Sequence, residues 1–327
     1  MNNKVLVTGS KGFIGYQTVL QLQEHGFEVF GVDWAKDPTR QGICVPFDKT
    51  YTYPGICVHF DSDTVRSILK ANDIKTVIHF AADHEVGRSI EEPSVFYHNN
   101  IVSSIKFLDK CIQAGVENFI FSSSSSVYGD KPDFPTDERN KKNPMSPYGR
   151  TKHFFEEILK DYERAYGIKT LSLRYFNAAG ADPRNRHGYV QETYSHLVPI
   201  LARCFGNDLP FTVFGNDYNT EDGTCIRDYT HVYDIAEAHI AAIDYLNING
   251  THQVFNIGKG KGESILDVIN AFSEYTGKEI QYTYGKRREG DPSKTFADIT
   301  LARNELLWSP KYTLADIVEH AYKWENR

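Results

Sequence analysis

The sequence predicts an α/β protein built on a doubly wound parallel sheet, with a smaller, mixed α/β domain in its C-terminal half. Three observations predict it. Short apolar, β-rich runs alternate with helical patterns through the first half of the 327 residues, a glycine-rich turn follows the first run, and the later half breaks into long polar loops.

In chain order, "KVLVT" (4–8), "EVFGVD" (28–33), "ICVHFD" (56–61), "TVIHFAA" (76–82), "NFIFSSS" (118–124) and "KTLSLRYF" (169–176) read as strands, with helical segments between most of them. "SVFYHNNIVSSIKFLDKCIQAG" reads as a long amphipathic helix. A second long helix opens at "SPYGRTK": Ser146 is a good N-cap, Pro147 suits the first helical position, and Gly167 is a stop. Within it Phe154, Phe155, Ile158 and Leu159 recur at helical spacing. The later half carries the loops "HGYVQET" and "FGNDYNTEDGT", a helix "SILDVINAFSEYTG", and a basic loop "GKRREGDPSK". "THVYDIAEAHIAAIDYL" and "QVFNIG" are expected to return to the first domain. The division expected is therefore 1–176 with 230–257, and 177–229 with 258–327. "GICVPFD" at 42–48 is nearly repeated at 55–61; two copies cannot build a solenoid, and the second fits the third strand better.

The bulk numbers bound the function. Hydrophobic content of 40% and charged content of 24% are those of a globular protein, and a net charge of −7 gives no reason to expect nucleic acid or an anionic membrane as partner. Five cysteines without a C-x-x-C argue against a disulfide framework and a zinc site. The N-terminus turns polar too early for a signal peptide, and no apolar run approaches the roughly 18 residues of a membrane span. A cytoplasmic protein is expected.

"VLVTGSKGFIG" sets Gly9, Gly12 and Gly15 at a strand-to-helix junction. Glycines let such a turn close and let backbone N–H groups approach a pyrophosphate at the positive end of the following helix, as in a Rossmann-like domain. Asp33 ends the second strand, where a carboxylate binds the two hydroxyls of an adenosine ribose and repels a 2′-phosphate, so NAD is favoured over NADP. Asp61 ends the third expected strand and is a candidate for the adenine amino group.

Tyr148 and Lys152 stand four apart just inside the second long helix, so they share a face. Ligands of an open parallel sheet sit beyond the carboxyl ends of its strands, and this helix follows the strand ending in "SSS". The tyrosine, the lysine and the serines can therefore meet over a bound nicotinamide.

Taken together, "VLVTGSKGFIG", "VIHFAA", "NFIFSSSSSVYGD", "SPYGRTK", "LRYFNAAGA", "FGNDYNTEDGTCIRDYTHV", "FNIG" and "RREGD" resemble the extended short-chain dehydrogenase/reductase family nearly end to end. Within it they resemble the members that epimerise C4 of UDP-hexoses. The resemblance implies NAD as cofactor, with Ser124 and Tyr148 at the sugar 4-hydroxyl and Lys152 on the nicotinamide ribose. It adds Phe13, Ile14, Phe80, Ala81 and Ala82 to the cofactor set, together with Asn99, Ser122 and Tyr175. Tyrosine has a pKa near ~10, and Lys152 with the cationic nicotinamide would favour the phenolate. For the nucleotide, the match implies Asn177, Arg227 and Arg288 on the diphosphate, where a guanidinium fork suits phosphate oxygens. Leu197, Phe214 and Tyr229 would line a uridine pocket, Asp291 would take ribose hydroxyls, and Thr295 would face the sugar C2 substituent. A homodimer through the two long helices is implied as well.

Sugar-nucleotide dehydratases and decarboxylases of the superfamily carry a carboxylate before "VYG", needed for elimination. Here Ser124, Ser125 and Ser126 stand there, which favours epimerisation. Two departures bear on the cofactor's grip: His84 stands where close epimerases carry a lysine, and Trp34 where they carry an asparagine. Asp83, His84 and Glu85 are adjacent in sequence and are not expected to converge on a metal. Epimerisation of UDP-pentoses or UDP-uronates is the alternative on the same scaffold; a non-catalytic NAD or nucleotide-sugar sensor is the alternative from another class.

Overall fold

The computed structural model describes residues 3–33, 55–57, 59–129, 134–190, 194–250, 252–288 and 292–327. Trp34, the near-repeat at 42–48 and Asp291 lie outside them. The chain opens with β1 (Lys4–Thr8), α1 (Phe13–Glu24), β2 (Glu28–Asp33), β3 (Gly55–Cys57), α2 (Asp63–Ala71) and β4 (Thr76–His79). α3 (Val86–Glu91) and α4 (Pro93–Tyr97) lead through a π-helical turn, His98–Ser103, into α5 (Ser104–Ala114). β5 (Asn118–Ser124), α6 (Pro147–Tyr166), β6 (Lys169–Tyr175) and β7 (Asn177–Ala179) follow. Then come α7 (Leu197–Asn207), β8 (Phe211–Phe214), β9 (Ile226–Arg227), β10 (Tyr229–His231), α8 (Val232–Ile248) and β11 (Gln253–Ile257). The last elements are β12 (Glu263–Ser264), α9 (Ile265–Thr276), β13 (Tyr282–Gly285), β14 (Lys294–Thr295), α10 (Thr300–Asn304) and α11 (Leu314–Glu325).

Seven strands form one sheet in the order β11-β6-β5-β4-β1-β2-β3, and the pairs β4–β5, β4–β1, β1–β2 and β2–β3 run parallel. From β1 the strands step outward one way to β2 and β3; from β4 they step the other way to β5, β6 and β11. The order therefore reverses between β1 and β4, the switch point at which a doubly wound sheet opens a crevice for a ligand. Parallel strands are covered on both faces, which is why Val5, Leu6 and Val7 are all buried instead of alternating. One cluster holds Leu6, Phe30, Val77, Phe107, Phe119 and Phe155, joining the sheet to α5 and α6.

Two strands are shorter than the sequence suggests. β3 ends at Cys57, because the chain then bends into the turn before α2, with Ser62 N–H donating to the His59 carbonyl at 2.9 Å. Asp61 thus lies beyond a strand end, not on it. β4 ends at His79: Ala81 N–H leaves the ladder and donates to the Thr8 hydroxyl at 3.2 Å, so Ala81 and Ala82 belong to a loop. α6 keeps both expected ends. Ser146 Oγ accepts from Gly149 N–H at 3.1 Å, and Gly167 closes the helix at φ 72°.

The chain forms two units, the first made of residues 1–127, 142–174 and 236–255, the second of 128–141, 175–235 and 256–327. Compared with the division read from the sequence, residues 128–141 join the second unit. They are held there by Asn256, whose side chain accepts from Tyr128 O–H at 2.7 Å and donates to the Thr136 carbonyl at 2.8 Å. The second unit packs α7, α9 and α11 around Val198, Leu201, Phe205, Phe272 and Ile317. It also carries three small sheets, β10-β7, β12-β9-β14 and β13-β8.

Candidate active site

In the first unit the turn after β1 is built for close backbone approach. Gly9 has φ +68° and packs on the loop after β4, where a Cβ would stand 2.9 Å from Ala81 N. A Cβ on Gly15 would collide with the Gly9 carbonyl, so α1 can start this close to β1 only with glycine there. Gly12 is the N-cap of α1 and offers no side-chain acceptor to the N–H groups of Phe13 and Ile14. A helix N-terminus capped by glycine, at the switch point of the sheet, fits a pyrophosphate. Asp33 ends β2 beside it and accepts Lys11 N–H at 2.6 Å, which fixes the carboxylate against the loop. The donor set is that of a dinucleotide site. Asp61 is turned to His59 Nδ1 at 2.7 Å.

The loop after β4 is tied down by polar contacts. His79 is buried, and desolvation with the nearby Lys152 charge brings its pKa down to about 3, so the ring is neutral. Its Nδ1 lies 2.7 Å from Thr8 Oγ1, which already accepts from Ala81, and Nε2 lies 3.1 Å from Ser104 Oγ. The consistent assignment is Thr8 donating to Nδ1 and Nε2–H donating to Ser104. Phe80 packs on His239 with ring centroids 4.6 Å apart. Further on, Asp83 Oδ2 accepts from Asn99 Nδ2 at 2.6 Å, and its N–H donates to Asn100 Oδ1 at 2.8 Å. Both asparagines sit on the π-helical turn, whose wider winding places two successive side chains on one loop. Asn100 also reaches Thr151 Oγ1 at 3.2 Å, joining this loop to α6. His84 is held below its usual range by burial, then by Lys152, against Glu85 and Asp83.

At the end of β5, Ser124 stands beside Tyr148, where its hydroxyl favours the phenolate. The Ser124 hydroxyl also contacts Ser126, whose N–H donates to Ser124 Oγ at 3.2 Å. Lys152 is buried, donates to the Ser122 carbonyl at 2.7 Å, and stands 5.7 Å from the centre of the Tyr148 ring. The structure thus brings Ser122, Ser124, Tyr148 and Lys152 together. The electrostatics differ from the expectation drawn from sequence. Burial pushes the Tyr148 phenol up, and the Ser124 hydroxyl only partly offsets it. Lys152 is itself brought down to about 7 by desolvation, against the pull of Glu156. With Nζ committed to Ser122, the chain alone holds Tyr148 as a phenol.

Behind this set lies a buried network that sequence reading missed. Glu156, one turn after Lys152, takes both Nε and Nη2 of Arg174 at 2.9 and 2.6 Å and accepts from Ser123 Oγ at 2.5 Å. A carboxylate four residues beyond the lysine, on the helix face packed against the sheet, was the available signal.

In the second unit, Leu197, Phe214 and Arg288 line a cavity of about 310 Å³ walled by Ile200, Phe211 and Val213. Arg288 lies over the Phe214 ring at 4.4 Å, so these two candidates contact each other. Tyr229 departs from expectation: it is 3% exposed, packs in the core with Val198 and Leu201, and does not line the cavity. Its position on β10 opposite Asn177, facing α7, accounts for this. Arg227 on β9 stands between Glu263 on β12 and Thr295 on β14, which pair with it directly. Tyr175 is buried at the end of β6.

Sequence and structure comparisons place the chain among known proteins. The model described as "NAD dependent epimerase/dehydratase family" matches residues 5–258. The chain is 37% identical to the UDP-glucose 4-epimerase of Rhizobium meliloti (strain 1021) over 327 residues, 100% of this chain and 98% of that protein. Among solved structures, the UDP-glucose-4-epimerase from Stenotrophomonas maltophila, with bound NAD and formylated UDP-arabinopyranose, superposes with a TM-score of 0.92 at 34% identity, covering 98% of this chain and 97% of that one. The UDP-Glc/GlcNAc 4-epimerase from Campylobacter jejuni superposes with a TM-score of 0.80 at 36% identity, covering 98% of each chain.

Proposed function

Since the chain belongs to the NAD dependent epimerase/dehydratase family, we propose that it is an NAD-dependent 4-epimerase of UDP-hexoses, interconverting UDP-glucose and UDP-galactose through a 4-keto sugar. The observation that carries this reading is the buried Lys152, held by the Ser122 carbonyl at 2.7 Å, with Tyr148 on the same helix and Ser124 beside it at the carboxyl end of β5.

Bound NAD supplies a hydride acceptor for C4 that is restored when the sugar is reduced again. Tyr148 takes the proton of the sugar 4-hydroxyl and later returns it, and Ser124 holds that hydroxyl and the phenol in one hydrogen-bonded line. Lys152 keeps Tyr148 and the ribose in place, and its charge together with that of the cationic nicotinamide would favour the phenolate that burial alone opposes. Gly9, Gly12 and Gly15, with the start of α1, hold the pyrophosphate, and Asp33 holds the adenosine ribose. In the second unit Asn177, Arg227 and Arg288 take the diphosphate and the cavity at Leu197 and Phe214 takes the base. Serines replace the carboxylates that elimination requires, so the keto sugar is reduced instead of dehydrated.

Thr295 extends the reading to acetylated sugars, because its short side chain leaves room at C2 and offers a hydroxyl. The similar C. jejuni structure, named for both Glc and GlcNAc, supports this reading. A homodimer formed through α5 and α6 is part of the proposal, supported by Val102 and Phe154, 42% and 47% exposed on these helices and the turn before them. So is a cytoplasmic setting, in keeping with the free, buried Cys111 and Cys204. Among the described residues no helix is long and apolar enough to cross a membrane.

The test is a panel of UDP-sugars followed by NMR. UDP-glucose and UDP-galactose should each reach the same equilibrium mixture with no added cofactor. Binding of UDP without turnover of any sugar would favour the sensor, and turnover confined to pentoses or uronates would favour the alternative substrates.

A further inference from the structure

Asp228 stands at a one-residue joint in the second unit. Before it, β9 carries Arg227 in the β12-β9-β14 sheet; after it, β10 pairs with β7, which begins at Asn177. Its main chain bonds both ways, N–H to the Thr295 carbonyl at 3.0 Å and carbonyl from Asn177 N–H at 2.9 Å. The side chain is fully buried. Oδ1 accepts from Lys259 N–H at 2.6 Å and Thr230 Oγ1 at 3.1 Å; Oδ2 accepts from Gly260 N–H at 3.0 Å and Ala297 N–H at 3.2 Å. Even Gly258 is shaped by it, since a Cβ there would stand 2.6 Å from Oδ2.

We propose that Asp228 is the positioning residue of the nucleotide-sugar site, a single residue whose carboxylate and main chain set Asn177, Arg227 and Thr295 at their mutual spacing. The proposal rests on the reading of those three as diphosphate and sugar contacts. The hydrogen bonds divide by role. The main chain of Asp228 ties Thr295, through its N–H, and Asn177, through its carbonyl, to the residue next to Arg227. The carboxylate clamps the turn leading to β12 and the residue just past β14, which are the two strands that flank Arg227. All four carboxylate partners are donors, so the ionised form is the one that satisfies them, even though burial pushes the acid upward. A carboxylate held by three backbone N–H groups is geometrically determined in a way a surface ion pair is not.

An amide at this position retains one oxygen but turns an N–H₂ toward a donor pair that the other oxygen served. Either the Lys259 and Thr230 side or the Gly260 and Ala297 side must then release. Asp228→Asn is therefore expected to raise both the Kd for UDP and the KM for UDP-glucose at least about twentyfold, with kcat within threefold and NAD content per chain unchanged. A folded Asp228→Asn with a UDP Kd within twofold of wild type overturns the proposal, as does one that loses kcat with KM unmoved. Should that variant not fold, Thr230→Val removes a single donor to Oδ1 and decides: a rise in UDP Kd of threefold or more supports the assignment, and a smaller one overturns it. A wild type that neither binds UDP nor turns over UDP-glucose would sink the functional reading itself, and this proposal with it.

Discussion

Lys152 donates to the main-chain carbonyl of Ser122 across 2.7 Å, two residues before the serine that stands beside Tyr148. One contact therefore locks the register of α6 on β5, and the tyrosine and the serine meet as a result. It also spends the lysine's shortest hydrogen bond on the backbone, leaving its charge to act through space.

The first prediction concerns the base. Tyr148→Phe keeps the ring and removes only the hydroxyl, so NAD content should match wild type while kcat for epimerisation falls about 10³-fold, within the usual range for a general acid–base group. Absorbance of the purified variant and a coupled assay check both. Residual turnover within tenfold of wild type would remove Tyr148 from this role.

A second prediction follows from the burial of Lys152. Its folded pKa of about 7 lies below that of an unfolded lysine, near ~10.4. Between these values the unfolded chain binds more protons than the folded one, so this residue's contribution to stability rises with pH across that window. In cofactor-free protein, Lys152→Met should melt above wild type at pH 6, and the gap should narrow by pH 9. A gap that widens with pH would contradict the assignment.

Breaking the network behind the lysine should be costly. Glu156→Ala strands the Arg174 guanidinium, 3% exposed, without its carboxylate. Removing one partner of a buried ion pair typically costs about 3–5 kcal/mol. Urea unfolding should show a loss of that size, and a loss below about 1 kcal/mol would mean that water reaches Arg174.

Most of the first unit was legible in the sequence because its signals are local. Gly9 and Gly15 are required by backbone geometry at one turn, and Ser146, Pro147 and Gly167 set the ends of α6. Strand ends were less legible, since β4 stops where the Thr8 side chain, 73 residues earlier, takes over a ladder bond from Ala81. Tyr229 illustrates the harder case. An aromatic on a short strand fits a pocket or a core equally well, and the packing of α7 decides for the core. Asp228 and Glu156 went unread for a related reason: a buried carboxylate looks like a surface one until its donors, drawn from distant segments, are in place.

The range of sugars gives a fourth prediction. Wild type should epimerise UDP-GlcNAc as well as UDP-glucose, and Thr295→Tyr should reduce kcat/KM for the acetylated pair at least about a hundredfold while leaving the other within fivefold. The acetamido group is otherwise buried without a partner, at about 1–3 kcal/mol. A wild type inactive on UDP-GlcNAc would refute this.

For assembly, light scattering should give twice the 37.3 kDa of one chain. Phe154→Arg places a charge on the exposed face of α6 and should shift the mass toward one chain at micromolar concentration. A wild type that already scatters as a single chain would exclude the dimer.

Each unit is assembled from three separate stretches of chain, and the edge strand β11 is contributed only at Gln253–Ile257. During synthesis the seven-stranded sheet therefore stays open at β6 until more than three quarters of the polypeptide has been made. For all that time β6 presents an unpaired edge of the kind that invites strand exchange between nascent chains. A stop codon after Arg174 would leave a sheet lacking its last strand, so two of the three stretches of the second unit are translated before the sheet of the first can close.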